Sequence, residues 1–143
     1  MKVLIDTNII MDEILVREPF YNYSHIVIQM CADEKIQGFL AAHTITNLFY
    51  MLRKEIPVKK RREILLGLLE FLFVESIDAK KLIRALSNEK FKDFEDCLQV
   101  ECATGVKADY IITRDKNDFA ESEIPCVTPA EFLNLFDELE EKI

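Results

Sequence analysis

Residues 4–9 read LIDTNI. The run KVLI at 2–5 is apolar and short, as a buried strand of a parallel sheet should be. It breaks off on an aspartate, a threonine and an asparagine. That ending has two readings. Asp6 could cap a helix that follows, or the strand could deliver a carboxylate to a site. The choice depends on what else the chain brings to the same place.

Outward from this strand, helices and strands alternate. Residues 21–34 carry apolar side chains at helical spacing, at Ile26, Val27, Met30 and Cys31. IQGFLAA at 36–42 predicts a second strand. Thr44 then reads as an N-cap for a helix through Glu55. Pro57 stops that helix and opens the next, near Val58 to Leu69. FLFVESI at 71–77 predicts a third strand. Helices are expected from Ala79 to Leu86 and from Phe94 to Val106. DYIIT at 109–113 is the fourth strand and IPCVT at 124–128 a short fifth, and Pro129 opens a last helix through Leu139. This order predicts one α/β domain over residues 1–143. Its fold class is a three-layer α/β/α arrangement with a mainly parallel sheet of four to five strands. Crossovers should be right-handed. Ligands in such sheets bind beyond the carboxyl ends of the strands, at a switch point.

The composition sets limits. The 143 residues suit a single core. Half are hydrophobic and 31% charged, which describes a globular chain and not a disordered one. ILLGLLEFLFV at 64–74 is too short to span a bilayer and contains Glu70. The start MKVLIDTN lacks the pattern of a signal peptide, so a cytoplasmic protein without a membrane partner is expected. Cys31, Cys97, Cys102 and Cys126 show no metal-ligand spacing, and His25 and His43 are the only histidines. Reduced, mostly buried thiols and packing or capping histidines follow. Net charge is −8, unlike an obvious nucleic-acid binder, but it is uneven. RKEIPVKKRR at 53–62 holds six of the 18 basic residues and one acid. Such an arm could hold a polyanion locally, or could be helix ends and a solvated loop.

Asp6, Asp93, Glu95, Asp96, Asp115 and Asp118 all fall at element ends. Singly, each has an ordinary explanation. Asp93 could be an N-cap with Asp96 completing a capping box, and Asp115 and Asp118 could shape an Asx-turn. Jointly they point elsewhere. Asp6 follows strand one, TRDKND at 113–118 follows strand four, and a helix from Phe94 can bring Asp96 to the same rim. Carboxylates converging there repel one another, and a divalent cation removes that penalty. Hard oxygen ligands select Mg²⁺ or Mn²⁺. With a basic arm nearby, this points to metal-assisted hydrolysis of a phosphodiester.

VLIDTNIIMD, DFEDCLQVECA, ADYIITRDKNDF and IPCVTPAEFL together resemble the PIN-domain family, the fold of the VapC-type toxin ribonucleases. The likeness covers nearly the whole chain in the right order. It implies a PIN-like fold and a Mg²⁺- or Mn²⁺-dependent ribonuclease. It also implies an RNA substrate, a possible small antitoxin and a homodimer. The catalytic and metal-binding positions would be Asp6, Asp96 and, in TRDKNDF, Asp115 and Asp118. Asp93 becomes a supporting residue. There is one departure. Asn47 stands where most members carry a glutamate, so weaker or single-ion metal binding is implied. Thr7 and Asn8 could steady Asp6, and Thr113 could contact phosphate or a metal-bound water. Arg17 and Arg114 are candidate phosphate contacts. Arg53, Lys59, Lys60, Arg61 and Arg62 could hold the RNA backbone or meet an acidic partner. Phe20, Tyr21 and Tyr23 could stack bases, or simply pack a helix.

Two rival classes exist. A PIN-like module that lost turnover with the glutamate would bind RNA or protein without cutting. A phospho-acceptor receiver domain would need adjacent acids after strand one and a lysine after a late strand. LIDTNI has one acid, and TRDKND follows strand four.

Overall fold

The structure is a computed structural model and describes residues 1–142. The domain expectation runs to Ile143, which lies outside the described residues. The strands are β1 (Lys2–Ile5), β2 (Gln37–Ala41), β3 (Phe73–Glu75), β4 (Tyr110–Ile112) and β5 (Cys126–Val127). The helices are α1 (Thr7–Leu15), α2 (Tyr21–Ala32), α3 (Ala42–Met51), α4 (Val58–Leu68), α5 (Ala79–Ser87), α6 (Phe94–Val106) and α7 (Pro129–Glu141). A 3-10 turn covers Lys116–Phe119.

All strand pairs are parallel, in the order β3-β2-β1-β4-β5. Strand residues alternate between the two faces, as the two-residue period requires. Val3, Ile5, Leu40 and Ile112 join one core with Ile9, Val27, Leu48, Leu65 and Phe132 from helices α1, α2, α3, α4 and α7. Leu4, Ala41 and Ile111 join another with Cys102 and Ala103 of α6 and Phe119 of the 3-10 turn. Helices therefore cover both faces, and the expected three-layer α/β/α class is borne out.

The chain winds from β1 outward through β2 to β3, then returns across the sheet to β4 on the other side of β1. The switch point therefore lies between β1 and β4. Ile5 pairs with Ile112, and the Asp6 amide donates to the Ile112 carbonyl at 3.0 Å. That register sets Asp6 beside Thr113. Gly38 of β2 is required by close packing: a Cβ there would come within 2.5 Å of Cys31 Sγ and 2.8 Å of Leu72.

Several boundaries differ from the sequence expectation. Helix α3 begins at Ala42 and ends at Met51, so Thr44 lies inside it and is not its cap. The Thr44 hydroxyl is fully buried and meets Thr7 Oγ1 at 3.0 Å, a partner distant in sequence. The third strand is only Phe73–Glu75, because Phe71 and Leu72 still close the last turn after α4. The four cysteines are free, three of them buried and Cys126 half-buried.

Candidate active site

Asp6 occupies the N-cap position of α1, yet its side chain makes no capping bond. Its carboxylate is held from two other elements. Gln99 Nε2 on α6 donates to Oδ1 at 3.0 Å, and Thr113 Oγ1 at the end of β4 donates to Oδ2 at 2.9 Å. Asp6 is 4% exposed. Burial pushes its pKa above the ordinary carboxylate value, and the charge of Asp115 pushes the same way. The bonds from Gln99 and Thr113 and the Thr7 amide oppose them. A buried carboxylate held only by neutral donors is an incomplete electrostatic arrangement, since a buried charge ordinarily has a partner of opposite sign.

A cavity of about 130 Å³ opens beside it, lined by Asp6, Thr7, Asn8, His43, Asn47, Met51, Glu95, Asp96 and Gln99. Helix α6 starts on Asp93, whose Oδ1 accepts the Asp96 amide at 3.0 Å. Asp93 thus serves as the expected N-cap. Asp96 sits one turn before Gln99, so both share a helix face turned to Asp6. Its pKa is raised from 3.8 to about 7. Burial contributes most, followed by the like charges of Asp93, Asp118, Asp6 and Glu95.

The TRDKND acids close the other side. Thr113 Oγ1 accepts the Asp115 amide at 3.0 Å, and Asn8 Nδ2 donates to Asp115 Oδ2 at 3.3 Å. Asp115 therefore faces Asp6. Asp118 faces Asp96 across a neighbouring depression that Asp93 also lines. Among the described residues, no three His, Cys, Asp or Glu side chains converge tightly enough to grip one ion between them. The carboxylates form a loose ring.

That ring fits a hard divalent cation that keeps much of its own water, as Mg²⁺ does. Its donors are oxygens, and their mutual repulsion is the penalty a cation would relieve. A further sign is Gln99 Oε1. This amide oxygen is buried, and its residue only 3% exposed, yet it has no hydrogen-bond partner. Buried polar atoms are seldom left so, and a water or an ion is among the groups that satisfy them.

Other expected residues lie elsewhere. Arg114 and Arg17 do not reach the cavity. Both turn to Asp12, which is fully buried in α1: Arg114 Nε lies 2.9 Å from Oδ2, and Arg17 Nη1 3.7 Å from Oδ1. Arg114 also covers the Phe20 ring at 4.1 Å. Tyr21 stacks on His25, which meets Glu13 at 3.0 Å, and Tyr23 is exposed. In the basic arm, Arg53 lies over Tyr50 at 3.8 Å, and Arg61 bonds the Phe49 carbonyl at 2.6 Å. Lys59, Lys60 and Arg62 are exposed, and Lys60 approaches Glu63 at 3.8 Å.

Sequence reasoning missed Gln99, Asp12 and the place of His43. Gln99 was readable from its three-residue spacing after Asp96. Asp12 was readable as a charge inside an apolar helical run, which demands a buried partner. His43 Nε2 donates to the Glu95 carbonyl at 3.2 Å, and burial lowers its pKa. No local signal marks it.

Parallel strands, a switch-point cavity and a ring of acids at the strand ends define a doubly wound α/β protein with an acidic site. A profile of the PIN domain matches residues 2–117, and the chain belongs to the PIN-domain family. It is 28% identical over 141 residues to Ribonuclease VapC1 of Aquifex aeolicus (strain VF5), covering 96% of this chain and 97% of that one. The fold is similar to VapBC2 from Rickettsia felis bound to a promoter DNA fragment. There the TM-score is 0.65 at 17% identity, over 90% of this chain and 98% of that one. It is also similar to a toxin–antitoxin complex from Klebsiella pneumoniae. There the TM-score is again 0.65, at 23% identity, over 89% and 97% of the two chains.

Proposed function

We propose that this protein is a Mg²⁺- or Mn²⁺-dependent endoribonuclease, the toxin of a toxin–antitoxin pair, acting in the cytoplasm. The single observation that carries this reading is Asp6: a buried carboxylate at the switch point, excused from capping and held in place without a cation of the protein's own. The 28% identity to a VapC ribonuclease over almost the full length supports the same reading. The fold shared with toxin–antitoxin complexes supports an antitoxin partner. A homodimer is part of the proposal. Among the described residues no helix is long and apolar enough to cross a membrane.

The chain's own residues divide the work. Gln99 and Thr113 fix both oxygens of Asp6, so its orientation is set before substrate arrives. Asp96 presents a second carboxylate from α6. Asn8 holds Asp115 opposite, and Asp118 adds negative charge behind Asp96. These groups would hold the cation. When bound, it would lower the pKa of a water and neutralise charge on the phosphate under attack. In-line attack of water on the phosphorus, with the P–O3′ bond breaking and the 3′-oxygen taking up a proton, would leave a 5′-phosphate and a 3′-hydroxyl. The exposed cations Lys59, Lys60 and Arg62 would hold the strand by its phosphates.

The test is cleavage of a mixed RNA pool with Mg²⁺ or Mn²⁺ and with a chelator, using wild type, Asp6→Asn and Asp96→Asn. Cleavage should need the metal and both aspartates. Equal cleavage by all three proteins would reject the site.

A further inference from the structure

Two hollows meet at Asp96, which lines both. Helix α3 walls the first, where Asn47 Nδ2 donates to Glu95 Oε2 at 3.3 Å. Met51 lines it too, two residues before Arg53 opens the basic arm. The loop between α5 and α6 walls the second hollow with Lys90, Phe91 and Lys92. Its volume is about 350 Å³, within the range that holds a group the size of a small ligand, such as one nucleotide. Phe91 anchors the loop: its ring packs against Ala85, Cys97 and Leu98, and its amide donates to the Asn88 carbonyl at 3.4 Å. The lysines on either side are exposed, and among the described residues neither forms an ion pair. Acids are at hand, since Asp93, Asp118 and Glu121 line the same hollow. Two uncommitted cations therefore stand at the edge of a site whose own charge repels a polyanion. Cations so placed draw a phosphate chain towards a site that would otherwise turn it away, and they grip it without regard to base.

We propose that Lys90 and Lys92 form a phosphate-binding subsite for single-stranded RNA, so that the strand crosses the acid ring from the 53–62 arm to the 90–92 loop. The second hollow takes a nucleotide next to the bond that is cut, with its phosphate on the two lysines. Phe91 fixes where those side chains start and gives the nucleotide an apolar wall. The inference rests on the ribonuclease proposal, and the measurements below test the two apart.

Affinity for a labelled single-stranded RNA of mixed sequence is measured from low to moderate salt in the Asp6→Asn chain. Lys90→Ala with Lys92→Ala should lower the slope of log affinity on log salt by about 1.4, at roughly 0.7 for each phosphate released. Lys90→Arg with Lys92→Arg should keep the slope, because the charges remain. Lys35→Ala with Lys80→Ala removes as much charge from exposed lysines outside both segments and should leave it unchanged. Adding alanines at Lys59, Lys60 and Arg62 to the first pair should bring the loss to about 3.5, as for five phosphates. With Asp6 intact, the Lys90 and Lys92 alanine pair should raise KM for cleavage and leave kcat near wild type, as loss of uniform binding does. Thermal melts check that each chain is folded. A slope for this pair equal to that of the Lys35 and Lys80 control overturns the subsite. If wild type cleaves RNA nonetheless, the ribonuclease proposal stands without it. If wild type neither binds nor cleaves RNA, both fall. A combined loss no larger than that of the arm alone would overturn the crossing.

Discussion

Asp6 immediately precedes helix α1 and Asp12 lies within it, and both are buried, at 4% and 0% exposure. Their surroundings are opposite. Asp12 is gripped by Arg114 at two points, 2.9 and 3.3 Å, with Arg17 beyond at 3.7 Å. Its charge is balanced within the protein. Asp6 receives only neutral donors, the Gln99 amide, the Thr113 hydroxyl and the Thr7 backbone amide. A fold that can recruit two arginines to one aspartate and none to the other has left the second charge for something outside itself. Arg114 lies directly after Thr113, the residue that bonds Asp6. The cation nearest the site in sequence is thus turned away from it and committed to Asp12.

The strongest way to break this comparison is to neutralise each acid in turn. Asp6→Asn should cut RNA cleavage by about a thousandfold, since cation-assisted stabilisation is worth several kcal/mol and each 1.36 kcal/mol is tenfold. Its urea midpoint should hold or rise, because an unpaired buried charge has gone. Asp12→Asn should do the reverse. It strands Arg114 against an apolar ring and should cost about 3 kcal/mol of stability, read from urea unfolding. Cleavage per folded molecule should change little. A stability loss for Asp6→Asn as large as for Asp12→Asn would erase the distinction.

The same contrast shows what was legible in the sequence. Strand cores were readable because alternation and short apolar runs follow directly from burial on two faces. Asp6, Asp96 and the TRDKND acids were readable because strand ends and helix starts are fixed by those runs. Thr44 was misread because a cap and a buried hydroxyl present the same residue type. Its true partner, Thr7, belongs to another element. Helix α1 showed only as the helix Asp6 could cap, since it follows β1 with no side-chain cap to announce it. The grip on Glu95 was invisible for a similar reason: Asn47 meets it only through folding. Local chemistry is written in the sequence, while pairings across elements come from the register of β1 against β4 and the seating of α6.

A smaller effect sharpens the comparison through pH. Asp96 is held at about 7 in the folded protein against 3.8 for a free carboxyl. Between those values the folded state keeps a proton that the unfolded chain has released. Stability without metal should therefore fall as pH rises from about 4 to about 7, and Asp6, raised in the same direction, adds to that slope. A cation must displace the Asp96 proton, so Mn²⁺ affinity should climb through the same window. Melts at several pH values, with and without Mn²⁺, check both. A flat profile without metal would mean that the acids do not press on one another as their positions require.

The weakest expected effect carries the contrast to the surface. In the basic arm, Arg53 and Arg61 are engaged by the protein's own aromatics and carbonyls, at Tyr50 and Phe49. Lys59 and Arg62 are exposed, Arg62 only loosely over the Phe49 ring at 6.0 Å, and Lys60 has only a surface glutamate at 3.8 Å, a pairing of little energetic weight. Charges already used should matter to the fold, and charges left over should matter to RNA. Replacing Lys59, Lys60 and Arg62 with alanine should leave the melt unchanged. It should lower the dependence of log affinity on log salt by about 2 for single-stranded RNA, at roughly 0.7 for each phosphate no longer neutralised. Arg61→Ala should instead lower the melting temperature and leave the slope nearly as it was, because its guanidinium holds Phe49. Binding measured from low to moderate salt, on a cleavage-dead Asp6→Asn background, separates the two. A triple variant with an unaltered slope would move the RNA path off this arm.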